Sequence, residues 1–273
     1  MGKMATKSDD GRFHSGAEKY AAYLETPEGR LRLDLAFANL QEFLPESSGV
    51  LHALDIGCGT GDIAVRLARL GFQVTLLDVS LPMLEFAERA AREAGVTEMI
   101  VLKHGDAAQL ATLFDAGSFD LILCHNLLEY VDDPAAVLRD AVRTLRDPSG
   151  MISVLVRNQP GEVLKAAIQE GDLAAAEHNL TAEWGYESLY GGKVRLFTPD
   201  RLEAMLAAAA LVVTAERGVR VVSDYLPPKV SRNDQYGRIF EIERKLGMQP
   251  KFATVARYMH CLAHRGAVTK DGA

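Results

Sequence analysis

Between an apolar run, VLHALDI, and an amphipathic run, IAVRLARL, the chain places Gly57, Gly59 and Gly61 on alternate positions, with Asp55 two residues ahead of the first. A glycine turn from strand to helix lets backbone approach a ligand closely and points helix N–H groups at it. The details of the turn narrow the ligand. A phosphate-cradling loop needs a Lys-Ser/Thr pair after its last glycine, and GTGDIA has none. Dinucleotide sites read G-x-G-x-x-G, whereas the order here is G-x-G-x-G. An acid beside the turn repels a pyrophosphate in a low-dielectric site and suits an ammonium or sulfonium cation. S-adenosylmethionine is a ligand of that kind. Asp55, Gly57, Cys58, Gly59, Thr60 and Gly61 are therefore candidate cofactor contacts.

Three further features follow at the ends of later strands. LLDVS puts Asp78 where a carboxylate accepts hydrogen bonds from ribose hydroxyls, with Val79 beside it and Met83 in the first turn of the next helix. HGDAAQL offers Asp106 to an adenine amino group and Ala107 to the ring face. FDLILCHNLLEYVDDP ends its apolar run at His125, on the sheet edge where ligands of open α/β sheets collect.

S-adenosylmethionine gives up its methyl group by in-line displacement, so if that is the reaction the protein has to align the acceptor and, for a protonated one, remove its proton. His125 is the first candidate for that proton, its other reading being a cofactor contact alone. Glu129, four residues on, either orients His125 or caps the local helix. Asp224 follows the run GVRVV and either holds a substrate N–H or pairs with Arg220 or Arg232. Tyr20 and Tyr23 in the N-terminal helix, Trp184, Tyr186 and Tyr190 in an aromatic stretch, and Tyr225 beside Asp224 are candidate substrate contacts; packing is the competing reading for each. The remaining histidines show no metal-ligand spacing, and no metal is expected.

The elements that must position these groups are legible as a pattern. SGAEKY through QEFL reads as helix, interrupted near Pro27-Glu28-Gly29. Apolar strands then alternate with amphipathic helices through MISVLVRN, and such β-then-α repetition implies a parallel sheet wound on both faces. Residues 161–190 read as a helical insertion. LVVTAERGVRVV and ATVARYMHCLAHR read as two more strands, separated by the charged helix NDQYGRIFEIERKLG. The expectation is an α/β, doubly wound, seven-stranded Rossmann-like sheet with N-terminal helices and a helical cap. Its units are an N-terminal segment at 1–48, the main domain at 49–265 with the insertion at about 158–198, and a tail at 266–273.

Composition limits the partners. The 273 residues carry a net charge of −7, which argues against holding nucleic acid through bulk electrostatics. Cys58, Cys124 and Cys261 are far apart and odd in number, as in buried thiols of a reducing compartment, and a cytoplasmic location is expected. The polar start MGKMATKSDDGRF lacks a signal-peptide core and reads as disordered.

With these residues in place, LDIGCGTGD…LLDVS…GDAAQL…FDLILCHNLLEYVDDP resembles the class I S-adenosylmethionine-dependent methyltransferases. Together with GRLRLDLA, HNLLEYVDDP, GVRVVSDYL and ARYMHCLA, it resembles the bacterial tRNA carboxymethoxyuridine methyltransferase family over most of Thr26 to Ala263. That resemblance implies cofactor contacts from Arg32, Gly59, Thr60, Asp78, Ala107 and His125. Members of the family carry a run of lysines in the insertion; this chain has NLTAEWGYESLYGGKVRLF, an acidic and aromatic stretch that cannot neutralise phosphates. The first expectation is accordingly a methyltransferase acting on a small aromatic, indole-like metabolite of a secondary pathway. The alternatives are esterification of the wobble-uridine carboxylate in tRNA and a non-catalytic S-adenosylmethionine-binding protein. The oligomeric expectation is a monomer or homodimer.

Overall fold

The computed structural model describes residues 10–44, 49–146 and 149–266. Residues 1–9 of the polar start and 267–273 of the tail lie outside them; residues 10–13, expected to be disordered, instead open the first helix. Two helices come first, α1 (Asp10–Leu24) and α2 (Pro27–Gln41). Their break is set by Thr26, whose hydroxyl accepts from Gly29 N at 3.1 Å and caps α2 ahead of Pro27.

Alternation follows: β1 (His52–Ile56), α3 (Asp62–Arg69), β2 (Gln73–Asp78), α4 (Leu81–Glu93), β3 (Ile100–His104), α5 (Leu110–Leu113), β4 (Leu121–His125), α6 (Pro134–Thr144) and β5 (Met151–Arg157). The insertion contains α7 (Gln159–Leu164), a π-helical turn at Lys165–Glu170, α8 (Leu173–Asn179), β6 (Trp184–Glu187) and β7 (Gly192–Arg195). The chain returns through α9 (Pro199–Ala208), β8 (Leu211–Val219), α10 (Tyr236–Gly247), α11 (Pro250–Ala253) and β9 (Tyr258–Arg265).

The main sheet has seven strands in the order β3-β2-β1-β4-β5-β9-β8. The first five are parallel, and β9 lies antiparallel between β5 and β8. Successive side chains alternate between its faces. Leu54, Ile122, Cys124 and Val154 pack on one face with α6 and α9. Ala53, Leu76, Leu121 and Leu123 pack on the other with α3, α4 and Leu40 of α2. Both faces are covered, so the central strands read as continuous apolar runs.

The Rossmann-like expectation stands, with two local differences. The insertion is not wholly helical: residues 184–195 form a two-stranded hairpin with Glu187 opposite Gly192, its turn closed by Gly191 at φ 70°. The penultimate strand stops at Val219 because Arg220 turns left-handed, φ 61°.

Candidate functional site

The glycine turn is anchored on the second strand. Gly57 N and Cys58 N both donate to Leu77 O, at 2.7 and 3.2 Å. Asp78 braces the turn from below: its Oδ2 accepts from Gly59 N and its Oδ1 from Ser80 N, each at 2.9 Å. Gly61 sits at φ 76°, and a Cβ there would stand 2.9 Å from Ala87 Cβ, so only glycine lets α3 pack this closely on α4.

A cavity of about 590 Å³ opens over the strand ends. One end is walled by Gly57, Gly59, Asp78, Val79, Met83, Asp106 and Ala107, together with Arg32 and His125. An adjoining recess of about 40 Å³ brings in Asp55, Cys58 and Thr60, and adds Asp62. Of the candidate cofactor contacts, only Gly61 lines neither space; its part is the helix packing just described.

The recess is acidic. Burial pushes the Asp55 carboxyl up to about 7, with Asp78 and Asp62 adding to the shift. Asp78 is also raised, by burial, against the backbone N–H groups of Ser80, Gly59 and Val79, which favour its ionised form. Arg32 supplies a cation at the same place, donating to Asn126 Oδ1 at 3.1 Å and to Tyr20 Oη at 2.8 Å. This donor set fits S-adenosylmethionine: a guanidinium for its carboxylate, acids for its ammonium, Asp78 for the ribose and Asp106 with Ala107 for adenine.

His125 is held from behind. Its Nε2 lies 2.7 Å from Ser153 Oγ, which lies 2.7 Å from His260 Nε2; His260 Nδ1 is 3.4 Å from Asn39 Nδ2. The direction of the chain follows from the donors available. Asn39 donates to His260 Nδ1, His260 Nε2–H donates to Ser153, and the hydroxyl donates to His125 Nε2, which assigns the His125 proton to Nδ1. Burial, and then the charge of Arg32, lowers the His125 pKa to about 3.

The rest of the cavity is lined by Phe13, Tyr130, Tyr190, Arg157 and Glu187, with Tyr20, which also borders the recess, between the two groups. The rings interlock, with Tyr20 stacked on Tyr190 at 5.9 Å and Phe13 edge-on to both Tyr130 and Tyr190 at 5.2 and 5.1 Å.

Several expected contacts lie elsewhere. Asp224 is buried in an ion-pair network, its Oδ1 2.8 Å from Arg220 Nε and its Oδ2 3.2 Å from Arg257 Nε, and does not reach the cavity. Tyr23 accepts from Arg220 Nη1 at 2.9 Å in that network. Tyr225 points to Gly161 O at 3.5 Å. Trp184 and Tyr186 stand on the hairpin's outer side, 43% and 71% exposed, and Trp184 carries Arg195 over its ring. The hairpin explains this: strand alternation turns both aromatics away from the cavity and Glu187 toward it.

Glu129 is also relocated. It is buried, and its Oε1 accepts from Asn126 Nδ2 at 3.0 Å and Arg157 N at 2.7 Å. It braces those two residues and makes no hydrogen bond to His125.

Phe13, Asn126, Tyr130, Arg157 and Glu187 line the cavity without having been expected there. Arg157 had a readable signal, a charge ending the apolar run MISVLV at the ligand-collecting edge of the sheet. Among the described residues no group of three His, Cys, Asp or Glu side chains could hold a metal, and no helix is long and apolar enough to cross a membrane.

Comparison with known proteins agrees with this geometry. A methyltransferase-domain family model matches residues 54–154. The tRNA 5-carboxymethoxyuridine methyltransferase of Escherichia coli (strain K12) is 31% identical over 268 residues, covering 94% of this chain and 97% of that one. The ubiquinone biosynthesis O-methyltransferase of Caulobacter sp. (strain K31) is 34% identical over 169 residues, 62% of each chain. Among solved structures, the CcbJ methyltransferase of Streptomyces caelestis superimposes with a TM-score of 0.63 at 17% identity, covering 95% of this chain and 100% of that one. At that identity the likeness speaks for the fold. The acidic recess, the glycine turn and the end-to-end sequence match together make this chain an S-adenosylmethionine-dependent methyltransferase, a member of the tRNA 5-carboxymethoxyuridine methyltransferase family.

Proposed function

We propose that the enzyme esterifies the carboxylate of 5-carboxymethoxyuridine in tRNA, in the cytoplasm. The observation that carries the reading is the match to an enzyme of that name along nearly the whole of both chains. The chemistry of the site supports it. A carboxylate nucleophile needs no base, and neither residue expected to act as one is suited to it: His125 titrates near 3, and Asp224 lies outside the cavity, committed to two arginines. The first expectation, a small aromatic metabolite, rests on the acidic charge, the missing lysine run and the aromatics Trp184, Tyr186 and Tyr190; of these three only Tyr190 lines the cavity, and Trp184 and Tyr186 face away from it.

S-adenosylmethionine supplies a methyl group activated by its sulfonium. The chain's own residues supply alignment. Arg32, the acids of the recess, Asp78 and Asp106 with Ala107 would hold the cofactor, and His125, neutral with its proton on Nδ1, donates a hydrogen bond and abstracts nothing. Tyr20, Tyr130, Tyr190 and Phe13 form an aromatic wall suited to a flat pyrimidine and exclude water from the acceptor.

The test is transfer of radiolabelled methyl from the cofactor to tRNA bearing 5-carboxymethoxyuridine. The expected product loses its label in mild alkali, as a methyl ester does. Absence of labelling, with label entering a small-molecule fraction of cell extract instead, overturns the reading.

A further inference from the structure

Arg157 is a charged side chain set at the end of an apolar strand, and its two outer nitrogens are used differently. Nη1 donates to Glu162 at 3.1 Å, away from the cavity, and Glu162 is shared with Arg257 at 3.0 Å. Nη2 donates to Glu187 at 3.2 Å, and Arg157 and Glu187 both line the cavity. Glu187 comes from β6 of the insertion, and three donors converge on it: Arg157 Nη2, Tyr130 Oη at 3.3 Å and Leu189 N at 2.8 Å. Both side chains are about one-tenth exposed, so the pair is largely desolvated. An internal carboxylate thus occupies a guanidinium-and-phenol donor pair that opens onto the acceptor end of the cavity, beside the aromatic wall.

We propose that Arg157 and the Tyr130 hydroxyl are the recognition site for the acceptor's carboxylate, and that Glu187 is its stand-in while no acceptor is bound. The inference rests on the carboxylate reading above. A substrate carboxylate entering beside Tyr130 and Tyr190 takes the place of Glu187 on Arg157 Nη2 and Tyr130 Oη. Charge on the guanidinium stays compensated throughout, because one carboxylate is exchanged for another. Glu187 keeps the Leu189 N–H. The methyl ester formed by the reaction is neutral and a poorer acceptor, so Glu187 returns and the product is released. The same exchange selects against uridines that lack the carboxymethoxy group, since they leave Arg157 with Glu187.

The experiment is calorimetric titration of 5-carboxymethoxyuridine nucleoside and of its methyl ester into the enzyme saturated with S-adenosylhomocysteine. Wild-type enzyme is expected to prefer the acid by about tenfold or more, as for a charged hydrogen-bonded pair. Arg157→Gln is expected to abolish the preference. Glu187→Gln is expected to tighten the acid and leave the ester unchanged, a gain of binding that a purely structural role for Glu187 would not produce. It also keeps the idea falsifiable should Arg157→Gln fail to fold. Equal affinity of wild type for acid and ester, binding of neither, or weaker acid binding by Glu187→Gln overturns the proposal. Selective acid binding without methylation of tRNA retains the carboxylate site and rejects the tRNA substrate.

Discussion

Asp55 stands beside the glycine turn with a pKa near 7, raised by burial and by the neighbouring Asp78 and Asp62. Docking an ammonium against it favours the ionised form, so cofactor binding must expel a proton whenever the free enzyme holds one. The sign follows directly. Below pH 7 the free enzyme carries the proton and binding works against it; above pH 7 the carboxylate is already ionised. With a free-enzyme pKa near 7 and a lower one in the complex, affinity for S-adenosylhomocysteine at pH 6 is about tenfold weaker than at pH 8, or ~1.4 kcal/mol. Titration calorimetry in two buffers of different ionisation enthalpy should show release of most of one proton at pH 6 and almost none at pH 8. Asp55→Asn should lose both the pH dependence and the proton. The linkage also bears on folding. An acid whose folded pKa is raised binds its proton more tightly folded than unfolded, so the free protein loses stability from this group as pH rises between about 4 and 7. A wild-type dissociation constant that is flat from pH 6 to 8, with heats independent of buffer, would refute the reasoning.

Asp78→Ala should weaken S-adenosylhomocysteine binding by about tenfold or more, since it removes charged hydrogen-bond acceptors and unbraces Gly59; unchanged affinity by calorimetry would count against it. Ser153→Ala should cost about 1–3 kcal/mol in urea denaturation, because His260 Nε2–H is left buried without an acceptor, and nitrogen NMR should show the His125 tautomer no longer fixed at Nδ1. Asp224→Asn should destabilise the fold by about 3–5 kcal/mol through its two buried arginines, while cofactor affinity of the folded enzyme stays at the wild-type value; a selective loss of turnover would restore Asp224 to the site.

The cofactor end was readable because it is built from strand ends and one turn, where spacing alone places a residue. Asp55, Asp78, Asp106 and His125 each end or follow an apolar run, and parallel topology brings such ends to one edge. The acceptor end depends on tertiary choices that local pattern does not specify. TAEWGYESLYGG has enough helix formers to read as helix, yet Gly191 and Gly192 make it a hairpin, which trades Trp184 and Tyr186 for Glu187 at the cavity. Nearness to GVRVV leaves Asp224 a choice between substrate and an ion pair; the left-handed turn at Arg220 decides for the pair, burying it among arginines from two segments. Phe13 depends on how α1 lies across the strand ends, and nothing in its own stretch announces that.

The antiparallel placement of β9 between β5 and β8 has a consequence for synthesis on the ribosome. Five parallel strands emerge first, but β8 has no partner until Tyr258–Arg265 has left the exit tunnel and slid into the gap. A nascent chain stalled before Tyr258 exposes the open edge of β5, made of MISVLVR, which is a template for pairing with other chains. It also lacks His260 and with it the far end of the hydrogen-bonded chain behind His125. Interrupted translation should therefore yield aggregates and chaperone clients, and no partly active fragment.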